Sequence, residues 1–269
     1  MRLYCDSGSS KALWSDGSEG FFRTSGCNPR FLDEGALEAV LREELFPQLP
    51  QGPIAVTEVF FYGAGCAAAI DRERVRKVLQ KAFPNAPEPV VDSDIVGAAT
   101  LLCTGREGVV CILGTGSNCV RWDGRQIVDA VPALGFYVGD EGSGAELGKR
   151  LLKGYFYREL PDDLRAAFQQ AYPGLDRASA LEALYDRPLP NRWCASFATF
   201  YAQHRGCAWI EEQLYVELDA FATRRVAPMA DARTPIHAVG GIAYHFRDVW
   251  EKCLMEKNWR IGAIKLHPF

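Results

Sequence analysis

The pattern of hydrophobic and polar positions describes one succession of elements twice. In the first half, short apolar-leaning segments predict strands at 2–5, 12–14 and 21–24. Asp16-Gly17, between the second and third strands, has the signature of a tight hairpin. Helical spacing and longer apolar runs then predict a helix from about 33 to 46, a strand at 54–62, a helix at 71–83, a strand at 90–91 and a helix at 95–103.

The second half begins a similar cycle. Three strands are predicted at 108–113, 118–122 and 126–129, and Asp123-Gly124 repeats the hairpin signature. Helices follow at 146–157, 161–170, 178–185, about 192–204 and 207–227, then a strand at 235–239 and a helix at 242–257. We therefore predict a duplicated α/β unit in two lobes, an N-terminal lobe at 1–106 and a larger C-terminal lobe at 107–269, with a nucleotide between them.

The first turn of each cycle is rich in glycine and hydroxyl groups. It reads Asp6-Ser7-Gly8-Ser9-Ser10-Lys11 in the first cycle and Gly114-Thr115-Gly116-Ser117 in the second. Backbone amides, hydroxyls and a lysine can surround a phosphate in such turns, and Asp6 could hold hydrated magnesium. The alternative for the first turn is an ordinary hairpin loop.

Three further positions have both a structural and a functional explanation. Asp92 or Asp94, between a strand and a helix, could cap the helix or act as a general base at a strand end. Asn28, before a proline, could shape a turn or contact a substrate. The loop Gly139-Asp140-Glu141-Gly142-Ser143-Gly144 carries two carboxylates that suit a hydroxyl-rich substrate, and Glu141 is the one expected to support the loop.

Composition narrows the class of protein. Among the 269 residues, 48% are hydrophobic and 24% charged, as in globular proteins generally. The net charge of −4 gives no electrostatic reason to expect nucleic acid or an anionic membrane as a partner. The nine cysteines include no Cys-x-x-Cys pair, so we expect them to be reduced and mostly buried. With neither a signal-like N-terminus nor an apolar run of about 20 residues, the expected location is cytoplasmic.

Seven blocks, in this order, carry a resemblance to a known family. They are Asp-Ser-Gly-Ser-Ser-Lys (6–11), Ser-Gly-Cys-Asn-Pro (25–29), Phe-Tyr-Gly-Ala-Gly-Cys (61–66), Ser-Asp-Ile-Val-Gly-Ala-Ala (93–99), Ile-Leu-Gly-Thr-Gly-Ser-Asn (112–118), the glycine-rich stretch at 134–144 and Val-Gly-Gly-Ile-Ala-Tyr-His-Phe (239–246). Together they resemble the N-acetylglucosamine kinase-like proteins of the BadF/BadG-type ATPase family, in the actin, hexokinase and sugar-kinase superfamily. The resemblance implies a two-lobed actin-like ATPase fold, related to ribonuclease H, and ATP-dependent phosphorylation of N-acetylglucosamine or glucosamine.

The resemblance also implies a role for each matching residue. Asp94 would be the general base, and Asp6 would help to hold Mg²⁺. ATP would be bound by Gly8, Ser9, Ser10, Lys11, Gly114, Thr115 and Gly116 at its phosphates, and by Gly240 and Gly241 at its adenosine. The amino sugar would be contacted by Asn28, Asn118, Gly135 and Asp140.

Two other functions stay open at this point. One is an ATPase that activates a 2-hydroxyacyl-CoA dehydratase through an iron–sulfur cluster shared by a dimer, and the other is a non-catalytic sugar or nucleotide sensor. Family members also suggest a homodimer formed through the larger lobe. They continue beyond Leu266-His267-Pro268 with a helix that returns to the N-terminal lobe, so a chain without that helix is expected to be less active.

Overall fold

Two five-stranded sheets organise the chain in this computed structural model, which describes residues 1–8, 11–18 and 20–269. Each sheet belongs to one of two compact units of the chain. One unit comprises Met1–Thr104 with His267–Phe269, and the other comprises Gly105–Leu266. The last three residues thus join the first unit, where the Phe269 ring lies 6.4 Å from that of Tyr4.

The first sheet has the order β3-β2-β1-β4-β5. β1, β4 and β5 are parallel, whereas β2 and β3 are joined to β1 as an antiparallel meander. Alternate residues of β1 (Leu3, Cys5 and Ser7) are buried, as expected for a strand with one face on a core. The strands are β1 Arg2–Ser7, β2 Lys11–Ser15, β3 Phe21–Ser25, β4 Glu58–Gly63 and β5 Val90–Ser93.

The second sheet repeats this topology. Its order is β10-β9-β6-β7-β8, with β6, β9 and β10 parallel and β7 and β8 antiparallel. Its strands are β6 Gly108–Leu113, β7 Ser117–Trp122, β8 Ile127–Ala130, β9 Ile236–Val239 and β10 Ile261–Lys265. The predicted duplicated actin-like fold is therefore confirmed.

Helices cover the apolar faces of the sheets. The helices of the first unit are α1 Glu34–Ala39, α2 Ala69–Ala82 and α3 Asp94–Cys103. Those of the second are α4 Gly144–Phe156, α5 Asp162–Ala171, α6 Arg177–Tyr185, α7 Pro190–Ser196, α8 Ala198–Gln203, α9 Ala208–Phe221, α10 Gly241–His245 and α11 Arg247–Glu256. No helix in the described part of the chain is both long and apolar enough to cross a membrane.

The structure differs from the sequence expectations in a few elements. β10 was not predicted, and the expected continuous helices at 192–204 and 242–257 are each divided into two. The helices that were expected to continue past α1 and α9 become π-helical at Val40–Leu45 and Ala222–Val226. The expected strand at 54–62 starts only at Glu58, because Pro53–Ala55 forms a 3₁₀ turn.

Candidate functional site

The parallel strands of the first sheet bring acidic side chains to one edge. In the strand register, Asp6 lies opposite Tyr62, and Tyr62 lies opposite Asp92, close to the carboxyl ends of β1, β4 and β5. α3 starts at Asp94, two residues beyond Asp92. It packs closely on β4, since a Cβ at Gly97 would lie 2.3 Å from the Tyr62 ring. This close packing fixes the start of α3, and with it Asp94, at the carboxyl edge.

Asp6 has an unusual electrostatic environment. Partial burial, together with the nearby charge of Asp94, raises the pKa of Asp6 from 3.8 to about 7. No cation lies within ion-pair distance of Asp6 among the described residues, and its carboxylate accepts no hydrogen bond there. Two acids of like charge therefore lie at this edge, and no described cation is paired with Asp6.

Asp94 is only partly explained by helix capping. Its Oδ1 accepts a hydrogen bond from the amide of Ile95 at 2.9 Å, which satisfies one donor of the first turn. Ser93 occupies the N-cap position but makes no capping hydrogen bond with its side chain, and Asp92 Oδ1 accepts only from the Ser93 amide at 2.8 Å. Burial raises the pKa of Asp94. The second carboxylate oxygen of Asp94 is not used by the cap.

The first glycine-rich turn is described only in part, since Ser9 and Ser10 lie outside the described residues. The Gly8 amide donates to the Lys11 carbonyl at 3.0 Å, so this amide is already occupied. Lys11 begins β2 and its side chain is exposed. Of this turn, the structure therefore places the Lys11 side chain near the end of β1, with no ion pair to any described residue.

Asn28 is buried against the loop that follows β4. It is 5% exposed, and its Oδ1 accepts the Arg30 amide at 3.0 Å. A Cβ at Gly65, which has φ +88°, would lie 2.1 Å from that oxygen. The turn-shaping explanation thus accounts for part of the role of Asn28, and the loop at 63–65 holds its amide close to the end of β4.

In the second unit, the loop at 114–116 packs on the start of α4. The amides of Gly144 and Ala145 donate to the carbonyls of Gly114 and Thr115 at 2.8 and 3.1 Å. Within the loop, the Gly114 amide donates to Gly116 at 3.0 Å. The amides of Thr115 and Gly116 make no hydrogen bond within the described chain. Two donors of a glycine-rich turn are therefore open to an anion.

Gly240 and Gly241 follow β9 and differ from each other. Gly240 has φ +117°, and a Cβ there would lie 2.3 Å from the Leu113 carbonyl, so the protein itself requires this glycine. Among the described residues, the nearest atom to a Cβ at Gly241 is 4.0 Å away, and none lies within 4 Å of a Cβ at Gly114. The glycines at 114 and 241 border open space instead of protein atoms.

Asp140 is held beside the 114–116 loop. It is 8% exposed and adopts φ +63°, and its Oδ1 accepts the Ser117 amide at 3.4 Å. A Cβ at Gly116 would lie 2.8 Å from its other oxygen. Burial raises the pKa of Asp140, whereas the Ser117 amide and the charges of Lys149 and Arg225 act in the opposite direction. This carboxylate is compensated by its surroundings.

The loop that carries Asp140 is supported from α9 and from the turn after it. Glu217, 4% exposed, accepts the Gly142 amide at 3.2 Å and also forms an ion pair with Arg150. Glu141 accepts a hydrogen bond from Arg224 at 2.9 Å, in keeping with a supporting role. Gly135, with φ +74°, accepts the Gly139 amide at 2.8 Å.

Asn118 and a buried arginine lie together on the second sheet. Asn118 Oδ1 accepts from the Cys119 amide at 2.9 Å and from Arg225 Nη2 at 3.4 Å. Sequence reasoning missed Arg225 and Glu217, because both contact the site across 75 to 107 residues of chain. A charged residue within an otherwise apolar helical face was the available signal for each.

The cysteines give no support to a metal cluster. All nine are free and eight are buried, as predicted. The described ranges, 1–8, 11–18 and 20–269, contain no group of three or more His, Cys, Asp or Glu side chains that could hold a metal ion. Burial raises the pKa of the Cys66 thiol in the loop after β4 to about 12.

Comparison with known proteins assigns the family. No protein-family model matches the sequence, and no curated protein is detectably similar to it. The crystal structure of a candidate N-acetylglucosamine kinase from Porphyromonas gingivalis is 36% identical, with a TM-score of 0.94 over 100% of this chain and 95% of that one. The chain belongs to the N-acetylglucosamine kinase-like family of sugar kinases. The family prediction from the sequence is confirmed.

More distant structures share the fold of this family member. A candidate N-acetylglucosamine kinase from Chromobacterium violaceum has 18% identity and a TM-score of 0.73, over 97% of this chain and 94% of that one. A ROK-family glucokinase from Streptomyces griseus, solved with glucose and AMPPNP, has 12% identity and a TM-score of 0.53, over 98% and 93%. At these identities the likeness concerns the fold alone.

Proposed function

We propose that this sugar-kinase family member transfers the γ-phosphoryl group of ATP to a hydroxyl of an amino sugar, N-acetylglucosamine or glucosamine. The observation that carries the proposal is the acidic edge of the first sheet in a chain 36% identical over its full length to a candidate N-acetylglucosamine kinase. Phosphoryl transfer depends on positioning and on charge neutralisation more than on covalent chemistry of the protein. The carboxyl edges of the two sheets offer groups for positioning and groups for charge neutralisation.

Asp94 is the proposed general base. Its carboxylate has an oxygen that the helix cap does not use, and burial raises its pKa toward the working pH of a proton acceptor. It would accept the proton of the sugar hydroxyl as the oxygen attacks phosphorus. A base of this kind is typically worth ~10²–10⁴-fold in rate.

Asp6 fits a magnesium ion. Its carboxylate lacks a protein cation among the residues described, and an ion would offset its repulsion with Asp94. Magnesium in such sites is held by one or two carboxylates, waters and the phosphates of the substrate. The bound ion would neutralise charge on the phosphates of ATP. Asp6 would hold it through its carboxylate.

The second unit would contribute to both substrates. The open amides of Thr115 and Gly116 are suited to phosphate oxygens, and the space at Gly114 and Gly241 lets a nucleotide approach the backbone. Gly240 keeps the backbone in place beside them. Asp140 and Asn118 are the proposed sugar contacts, since an ionised carboxylate accepts hydrogen bonds from hydroxyl groups and an amide can donate them.

ADP release with Mg·ATP, measured against a panel of sugars, tests the proposal. The panel comprises N-acetylglucosamine, glucosamine, N-acetylmuramic acid, N-acetylmannosamine and glucose. We expect turnover with N-acetylglucosamine or glucosamine above the other sugars. Sugar-independent ATP hydrolysis would instead favour the activator class, and binding of sugar and nucleotide without turnover would favour a sensor.

A further inference from the structure

We propose that Arg225 is a positioning residue for sugar binding, because its guanidinium fixes the side-chain amide of Asn118 so that the N–H groups of Asn118 face the substrate. The inference rests on the proposed function, in which Asn118 contacts the sugar. It adds a residue that touches no substrate itself, and it states which end of the Asn118 amide the sugar meets.

Arg225 is a buried cation without a direct ion pair. It lies in the π-helical turn Ala222–Val226, is 4% exposed, and has no carboxylate within ion-pair distance among the residues the structure describes. Its Nη2 donates to the Val131 carbonyl at 2.8 Å and to Asn118 Oδ1 at 3.4 Å. Burying the charge of an arginine costs free energy. The buried position of Arg225 therefore indicates that its hydrogen bonds hold other groups in place.

The two hydrogen bonds received by Asn118 Oδ1 determine the orientation of the amide. One comes from the Cys119 backbone and the other from Arg225, and both partners are donors only. A flipped amide would place its NH₂ group against two donors, which is unfavourable. The Nδ2 group makes no hydrogen bond within the described residues and is available as a donor.

Two polar atoms of the residues around Asn118 lack a hydrogen-bond partner. Arg225 Nε and Ser117 Oγ are buried and have no hydrogen-bond partner among the described residues. Ser117 precedes Asn118 on β7, and its amide binds Asp140. Both atoms lie below the surface, beyond the direct reach of a ligand. Ser117, Asn118, Asp140 and Arg225 thus form one polar cluster, in which the two Nη2 hydrogen bonds hold the Arg225 guanidinium.

The cluster therefore presents complementary groups. Asn118 offers hydrogen-bond donors, and Asp140 offers an acceptor. The positive charges of Lys149 and Arg225 lower the pKa of Asp140, whereas the negative charge of Glu141 on the same loop raises it. A sugar hydroxyl both donates and accepts hydrogen bonds, and an acetyl carbonyl accepts them. Arg225 keeps the donor end of the pair turned outward while its own side chain remains below the surface.

Two variants, Arg225→Lys and Asn118→Asp, test the inference. Sugar binding is measured by calorimetry, and kcat and KM are measured by steady-state kinetics. Both hydrogen bonds come from Nη2, and lysine keeps the charge but has a shorter side chain that does not bring Nζ to the place of Nη2. We therefore expect KM for the sugar to rise about tenfold with kcat and KM for ATP nearly unchanged. Arg205→Lys is the matched control, because Arg205 also forms several polar contacts in the same unit, with Glu211 and Asp248.

Asn118→Asp separates orientation from folding. The aspartate keeps the side-chain shape and gains an ion pair with Arg225, so we expect an unchanged or higher Tm but loss of sugar binding, since the donors are gone. Retained binding would show that the oxygen of Asn118 meets the sugar and would overturn the inference.

A double-mutant cycle completes the test. In an Asn118→Ala background, Arg225→Lys should cost no further sugar affinity; an equal cost in both backgrounds would mean that Arg225 acts elsewhere and would overturn the inference. Failure of the wild-type protein to bind any sugar in the panel would instead contradict the proposed function. Binding by wild type that Arg225→Lys leaves intact would contradict the inference alone.

Discussion

The carboxyl edges of the two sheets have the same strand topology, but different charges surround their acidic residues. In the first unit, Asp6 and Asp94 are acids whose pKa values are raised, and Asp6 has no compensating cation among the described residues. In the second unit, Asp140 receives a backbone hydrogen bond and lies within the influence of Lys149 and Arg225. Burial raises the pKa of the acids at both edges, but cationic side chains oppose this effect only at Asp140.

The two units thus share a strand topology while the side chains near their strand ends differ. An uncompensated acid edge suits a cation and a proton transfer, both of which change charge during the reaction. A compensated edge suits neutral hydroxyl groups, which need fixed acceptors and donors. We therefore expect substitutions at the first edge to lower kcat and substitutions at the second to raise KM.

The largest effect is expected for Asp94→Asn. The amide retains the hydrogen bond from Ile95 but cannot accept a proton, so kcat should fall by ~10²–10⁴-fold while the sugar still binds. ADP release and calorimetric binding check this. Asp92→Asn is the control, since Asp92 lies at the same strand end and should reduce kcat by less than about threefold. Equal losses in both variants would remove the special role of Asp94.

Asp140→Asn is expected to act on binding. Asparagine tolerates the left-handed backbone at φ +63° and can still accept the Ser117 amide, so the loop should keep its shape. Loss of the charged acceptor should raise KM for the sugar by about 10–100-fold with a smaller change in kcat. A loss of kcat with KM unchanged would contradict the division between the two edges.

The sequence predicted most of the strands because their apolar runs are bounded by clear turn signals. β6 spans Gly108–Leu113 as predicted, and the Asp-Gly pairs lie at the predicted hairpins. β10 escaped prediction because it is short and contains Gly262, and it is defined mainly by pairing with β9. The π-helical turns escaped as well, since they change the period on which helix prediction rests.

The candidate site was predictable where a motif is local and not where contacts are distant. The glycine-rich turns, Asp94 and Asp140 all lie in short recognisable blocks. Which glycine is required by the protein could not be read from the sequence, because Gly240 is constrained by the Leu113 carbonyl, 127 positions away. Arg225 follows the same rule, because only folding brings it to Asn118.

Gly240→Ala and Gly114→Ala should separate folding from nucleotide binding within the second edge. Alanine at 240 would meet the Leu113 carbonyl at 2.3 Å in a backbone conformation unsuited to a side chain, and should destabilise the protein by on the order of 3 kcal/mol. Alanine at 114 meets nothing within 4 Å, so the Tm should stay within about 2 °C of wild type.

For Gly114→Ala we instead expect KM for ATP to rise about tenfold, because the methyl group would occupy the space where phosphate approaches. Thermal unfolding and ATP kinetics check both variants. A Tm loss at 114 as large as that at 240 would mean that the loop glycines serve folding alone.

The smallest effect is expected for Asp6→Asn on stability, and its sign follows from the raised pKa. The pKa of Asp6 is about 7 in the folded state and 3.8 in the unfolded chain. Ionisation of Asp6 therefore destabilises the folded state increasingly as the pH rises from about 4 to 7, and the effect is complete above pH 7. Without metal, the variant should therefore melt a few degrees above wild type at pH 8 and at the same temperature as wild type below about pH 4.

Addition of Mg²⁺ at pH 8 should raise the Tm of wild type more than that of Asp6→Asn, because only wild type offers the ionised carboxylate. A stability difference independent of pH would show that packing around Asp6, and not its charge, distinguishes the first edge from the second.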